Sequence, residues 1–126
     1  MPPSYKNLVD AADAVVPRIS AQDLMALRQR EDVVVVDVRD GLEVQASGRV
    51  PGAVHIARGS LESRIDPTSG NFNPVFSPEK TIVTYCAGGG RAALAGKTLV
   101  EMGYPKVLNL GGFKSWVEAG GDVDKG

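Results

Sequence analysis

The sequence predicts an α/β fold in which helices cover both faces of a parallel sheet. Two runs carry that prediction. Val33-Val34-Val35-Val36 and Thr81-Ile82-Val83-Thr84-Tyr85 are β-branched and apolar, without the alternation of a strand that keeps one face in water. The third observation is order: strand-type segments alternate with segments of helical period, the pattern of three packed layers joined by right-handed crossovers. A chain of 126 residues, 43% hydrophobic and 23% charged, is long enough for one domain with one core and too apolar for disorder.

In chain order, residues 4–16 predict a short amphipathic helix with Leu8, Ala11, Ala12 and Val15 on its apolar face. It stands as an extension over residues 1–17, ended by Pro17. Arg18-Ile19 leaves room for a short strand at most. Ser20 caps a second helix, with Asp23 three residues on and Leu24 and Leu27 inward. The valine run follows as a buried strand. Asp40 caps a short helix that runs through Ala46 and ends at Gly48. Ala53-Val54-His55-Ile56 is another short strand. Residues 59–78, with Pro67, Pro74, Pro78, Gly59 and Gly70, predict a long loop with one turn at Leu61–Ile65, and long loops in small domains are often functional. After the strand 81–85 comes a helix from Arg91 to Met102, striped by Ala92, Ala95, Leu99 and Met102 and closed by Gly103. Lys106–Leu110 is the last strand. Phe113, Trp116 and Val117 give the final helix its apolar face.

The most informative feature is Cys86-Ala87-Gly88-Gly89-Gly90-Arg91, which contains the only cysteine. It lies between a buried strand and a helix start, so backbone N–H groups and the positive helix end surround one thiol. Such a turn binds anions and stabilises negative charge on sulfur. Three consecutive glycines lower strand and helix stability by roughly 0.5–1 kcal/mol each against alanine. They also let successive amides converge, which a merely structural thiol does not require. The amides of Ala87, Gly88, Gly89, Gly90 and Arg91 are therefore the expected cradle for a substrate sulfur on Cys86.

Bulk properties exclude several classes. A net charge of −1 gives no basis for nucleic-acid or membrane binding. No apolar run approaches the ~18 residues of a membrane span, and the first residues lack the apolar core of a signal peptide. A lone cysteine excludes an intrachain disulfide and a multi-cysteine metal site. A cytoplasmic location is the expectation.

Four pieces in order resemble the rhodanese-like sulfurtransferase family in its single-domain form: Asp37-Val38-Arg39 with Glu43; Gly48-Arg49-Val50-Pro51-Gly52-Ala53-Val54-His55-Ile56; the Cys86 loop; and Leu110-Gly111-Gly112-Phe113 with Trp116. The resemblance runs from about Ile19 to Val123. It implies a rhodanese-like three-layer fold with a five-stranded parallel sheet between helices, and a cysteine that becomes a persulfide. Arg49 and Ala57 depart from the family pattern, which often has histidine and proline there.

The expected reaction has two halves. Cys86 thiolate attacks the outer sulfur of an anionic donor such as thiosulfate, and sulfite leaves. Cyanide or a thiol, which a protein acceptor can carry, then takes the sulfur from the persulfide. No metal or organic cofactor is required. Around this centre, Arg91 either orients the donor anion or locks the loop through a carboxylate. Arg39 and Glu43, at i and i+4, form an ion pair. Asp37 closes its strand and can brace the loop by accepting N–H bonds, while His55 is structural. Arg58 follows a strand end, where ligands of open parallel sheets bind, and can meet the charged end of the donor; Arg64 is a further candidate. Two alternatives stay open: a persulfide relay or regulatory module for a protein partner, and a cysteine-based phosphatase or arsenate reductase. The latter loops typically hold five residues between Cys and Arg; here Ala87 to Gly90 are four.

Overall fold

Four parallel strands form the sheet in the computed structural model, which describes residues 2–125. Met1 and Gly126, the ends of the domain expected over 1–126, lie outside the described residues. The strands are β1 (Val33–Asp37), β2 (Val54–His55), β3 (Thr81–Cys86) and β4 (Val107–Gly112), in the order β2-β1-β3-β4. The helices are α1 (Tyr5–Asp13), α2 (Ala21–Leu27), α3 (Gly41–Ser47), α4 (Leu61–Ile65), α5 (Gly90–Glu101) and α6 (Phe113–Glu118).

The non-alternating valines have the predicted cause. Val34 and Val36 pack with Ile82, Cys86, Ala92, Ala95 and Leu99 on one face of the sheet. Val35 packs with Val83, Tyr85, Leu24, Phe113 and Trp116 on the other. Both faces are dry, and the polar side chains buried in β1 and β3, Asp37, Thr84 and Tyr85, are all hydrogen-bonded.

The fifth strand is reduced to one parallel bridge, Arg18 to Asn109 at the outer edge of β4. Ile19 N donates to the Asn109 carbonyl (3.1 Å), and Asn109 N to that of Pro17 (2.9 Å). A longer strand has no room. Pro17 supplies no N–H, and Ser20 already accepts from Asp23 N (3.1 Å) as the α2 cap.

Three predicted apolar faces are also corrected. In α1 the buried residue is Ala12, with Val16 just beyond the helix, whereas Leu8 and Val15 are exposed. Val16 enters α5 where Gly96 carries no side chain. In α5 the stripe stops at Leu99, and in α6 Val117 faces out. The 59–78 segment is more than a loop. A 3-10 turn at Arg58–Ser60 and α4 bury Leu61 and Ile65. Phe76 meets Tyr104 edge-on (6.2 Å between centroids), and the Tyr104 hydroxyl donates to the Ile65 carbonyl.

Candidate active site

Cys86 ends β3 beneath the first turn of α5, and only 1% of its surface is accessible. Its Sγ accepts from Gly89 N at 2.9 Å and from Ala92 N at 3.4 Å. The cradle thus differs in detail from a ring over Ala87 to Arg91: Ala92, one residue further, supplies the second donor. Within the described chain the amides of Gly88, Gly90 and Arg91 have no hydrogen-bond partner. The latter two are orphan donors of a helix N-terminus. Ala87 and Gly88 are exposed and Gly90 half-buried, so they form the rim.

The glycines are unequal. Gly89 caps α5 with φ +102°, in the left-handed region, and an added Cβ would lie 3.4 Å from the Gly111 Cα. Gly88 has open space around it. Gly112 packs so closely that a Cβ would overlap the Ala87 carbonyl oxygen. What aims β4 at the loop is a bulge. Thr84 pairs with Asn109 but Tyr85 with Gly111, leaving Leu110 extra. The Asn109 side chain accepts from Gly111 N at 2.7 Å. On the other side, Thr84 Oγ1 donates to the Ala92 carbonyl (2.9 Å), tying the first turn of α5 to β3. Gly89→Val is expected to fold and to lose roughly 10- to 100-fold in persulfide formation, since a strained backbone costs about 1–3 kcal/mol. Gly88→Ala should stay within about threefold of wild type on the same scale, because its Cβ meets nothing. Single-turnover intact mass reads both.

Arg91 locks the loop through a carboxylate. Its guanidinium donates to both Glu43 oxygens (2.7 and 3.0 Å), with Asp40 at 3.9 Å. Those bonds hold Arg91 above its usual range, with the nearby Cys86 sulfur adding in the same direction. They also hold the Glu43 carboxyl down at about 2. Glu43 is therefore unavailable to Arg39, and the expected i,i+4 pair does not form. Arg39 precedes α3, so helical spacing does not apply to it. It turns back to Asp37 instead: Nε and Nη2 donate to the carboxylate (3.0 and 2.7 Å), and Nη1 to Ser47 Oγ (2.7 Å). The guanidinium lies 4.5 Å from the Phe113 ring centroid. Burial disfavours its charge, but the Asp37 bonds and charge outweigh that and raise it.

Asp37 accordingly does not reach the cysteine loop. Its oxygens are taken by Arg39 and by the Tyr85 hydroxyl (2.8 Å), which itself accepts from Val50 N (3.1 Å). Burial, then the Asp37 charge, push the Tyr85 phenol well above its usual range. The network reaches Tyr85, the chain neighbour of Cys86. His55 Nε2 donates to the Arg39 carbonyl (2.8 Å), a structural position. Arg58 does leave the end of β2, yet its guanidinium is held by Glu62 (3.1 Å) and by Thr98 Oγ1 (3.0 Å). Thr98 is eight residues along α5 from Gly90, about 12 Å down the axis from the loop. Arg64 lines a separate surface cleft with Ser60, Ser63 and Phe72.

The Glu43–Arg91 pair carries a pH signature. A carboxyl depressed in the folded state stabilises it fully above the unfolded value of ~4.3 and ceases to as pH falls through about 2. The pair is half open to water, so its worth at neutral pH is about 1 kcal/mol. Glu43→Gln should be less stable than wild type by that amount at pH 7. The difference should vanish towards pH 2 in denaturation curves.

Residues 20–119 match the family model of the rhodanese-like domain. The chain belongs to the rhodanese-like family. A sulfurtransferase of Allochromatium vinosum is 31% identical to this rhodanese-like chain over 108 residues, covering 84% of it and 92% of the relative. The human thiosulfate:glutathione sulfurtransferase is 30% identical over 112 residues, covering 83% and 96%. Among solved structures, a protein of unknown function from Rhodopseudomonas palustris, described as a possible tyrosine phosphatase, superposes with TM-score 0.91 at 39% identity, covering 98% and 96%. The family and the two sulfurtransferase relatives place the rhodanese-like chain among sulfurtransferases. Among the described residues no helix is long and apolar enough to cross a membrane.

Proposed function

We propose that the protein moves a sulfane sulfur from an anionic donor such as thiosulfate to cyanide or a thiol, through a persulfide on Cys86. The observation that carries the reading is the sulfur of Cys86 against two amides, with three more unpaired amides around the same turn. In the first half-reaction the thiolate forms a bond to the outer sulfur of thiosulfate, the donor S–S bond breaks, and its electron pair leaves on sulfite. The persulfide keeps one negative charge, which the unpaired amides of the rim meet. In the second half-reaction the acceptor attacks the outer sulfur and the electron pair returns to Cys86. The donor is recognised at the loop itself, since the guanidinium of Arg58 is held well along α5.

The relative described as a possible tyrosine phosphatase makes phosphate-ester cleavage the reading to separate. Two features weigh against it here. Four residues separate Cys86 from Arg91, a short ring for a tetrahedral oxyanion. Arg91, which would have to grip that oxyanion, is engaged by both oxygens of Glu43. Incubation with thiosulfate is expected to add the mass of one sulfur atom to the protein, and cyanide to remove it. Aryl phosphates should not turn over, and inorganic phosphate should compete weakly with thiosulfate. Aryl-phosphate turnover without any persulfide would reverse the assignment.

A further inference from the structure

The family match begins at residue 20, so α1 stands outside it, yet α1 reaches the cysteine loop. Its route is a bare strip on α5. Gly90, Ala93 and Gly96 recur at three-residue spacing on that helix, one face of an α-helix. Val16 fills the gap at Gly96, where an added Cβ would come within 3.0 Å of its Cγ1. Tyr5 fills the gap at Gly90, where an added Cβ would overlap the phenol oxygen and lie 3.0 Å from Cζ. Buried Ala12 and Val16 fix the far end of this segment. At the near end Ser4 Oγ accepts from Asn7 N (3.1 Å), and the Asn7 side chain accepts from Ser4 N (3.0 Å). Tyr5 is therefore placed by a capped, anchored helix, although it is 64% exposed. Among the described residues its hydroxyl has no hydrogen-bond partner. It lies against the residue next to Gly89, whose amide meets the Cys86 sulfur.

We propose that Tyr5 belongs to the donor site: its hydroxyl donates a hydrogen bond to an oxygen of the oxyanionic donor whose outer sulfur Cys86 attacks. This rests on the sulfur-transfer reading and adds to it a recognition group supplied from outside the family domain. The loop amides can hold the transferred sulfur, while the three oxygens of thiosulfate must project from the rim, where Tyr5 stands. No proton changes hands. The hydroxyl meets charge present in both donor and departing sulfite, so it contributes mainly to binding rather than to the bond-breaking step.

The test compares two donors on the full chain, thiosulfate and inorganic tetrasulfide, which offers sulfane sulfur but no oxygens. Tyr5→Phe keeps the ring over Gly90 and removes only the hydroxyl. Its KM for thiosulfate should rise about tenfold, as for loss of one hydrogen bond to an anion, with turnover within twofold. Inhibition by sulfite should weaken in step. Persulfide formation from tetrasulfide should be unchanged. Tyr5→Ala should match Tyr5→Phe. Unchanged thiosulfate KM in Tyr5→Phe, equal losses with both donors, or a loss confined to Tyr5→Ala would each overturn the proposal, the last by showing that the ring acts only as packing. Failure of the wild type to form a Cys86 persulfide from either donor is a different result, which removes the sulfur-transfer reading itself.

Discussion

Cys86→Ser is expected to abolish persulfide formation, with at least a 10³-fold loss of thiosulfate turnover, about 4 kcal/mol of barrier. The size follows from what activates the nucleophile. A sulfur is intrinsically a strong nucleophile, and that of Cys86 already faces two donating amides. A serine hydroxyl needs a general base, and among the described residues no side chain hydrogen-bonds to Cys86. His55, the only histidine in the chain, is committed to the Arg39 carbonyl. The fold should survive. Serine is close to cysteine in size, and its oxygen can accept from Gly89 N, so burying it costs about 1 kcal/mol. The check is intact mass after thiosulfate, sulfite release in the steady state, and a melting curve on the same preparation. A folded Cys86→Ser protein that still gains one sulfur atom would move the reactive centre elsewhere.

The parts of this site that a sequence reader can find are those whose causes are local. The Cys86 loop announces itself because strand, glycine run and helix start are contiguous, and β1 and β3 because both of their faces need apolar residues. Contacts between distant residues leave no local trace. Glu43 pairs with Arg91 across 48 positions, and Tyr5 meets Gly90 across 85. The i,i+4 rule that suggested Arg39 with Glu43 assumes both residues are on one helix, whereas α3 begins only at Gly41. Arg58 shows the limit of strand-end reasoning. The backbone emerges on the expected edge, but a long side chain goes where a partner waits, here Thr98. The missing fifth strand has a signal in hindsight, since Pro17 and the Ser20 cap leave two residues between them. Ala92 as a sulfur-facing donor has none, because any residue but proline supplies the same N–H.

Asp37→Asn is expected to destabilise the protein by about 3–5 kcal/mol, the usual cost of removing one partner from a buried ion pair. For a chain of this length that is a fall of roughly 10–20 °C in melting temperature. Asp37 is fully buried and Arg39 only 2% exposed, joined at 2.7 Å. Once neutral, Asp37 leaves a guanidinium enclosed by Phe113, Tyr85, Ser47 and the Gly48 carbonyl with nothing to balance its charge. Asparagine keeps the volume and can still accept from the Tyr85 hydroxyl, so the loss isolates charge rather than packing. Replacing both partners by apolar groups, Asp37→Leu with Arg39→Met, should recover part of the loss, because the unpaired charge goes with it. Denaturant titration of wild type, Asp37→Leu, Arg39→Met and the double variant gives the coupling directly. The functional readout separates support from chemistry. Among the described residues, the Asp37 side chain is linked to Cys86 only through the Tyr85 hydroxyl and β3. Per folded molecule, Asp37→Asn should therefore keep a thiosulfate KM near that of wild type, measured well below its lowered melting temperature. A melting temperature within about 3 °C of wild type would show that the pair does not hold this end of the sheet. A stable Asp37→Asn protein that cannot form the persulfide would place the carboxylate in the chemistry instead.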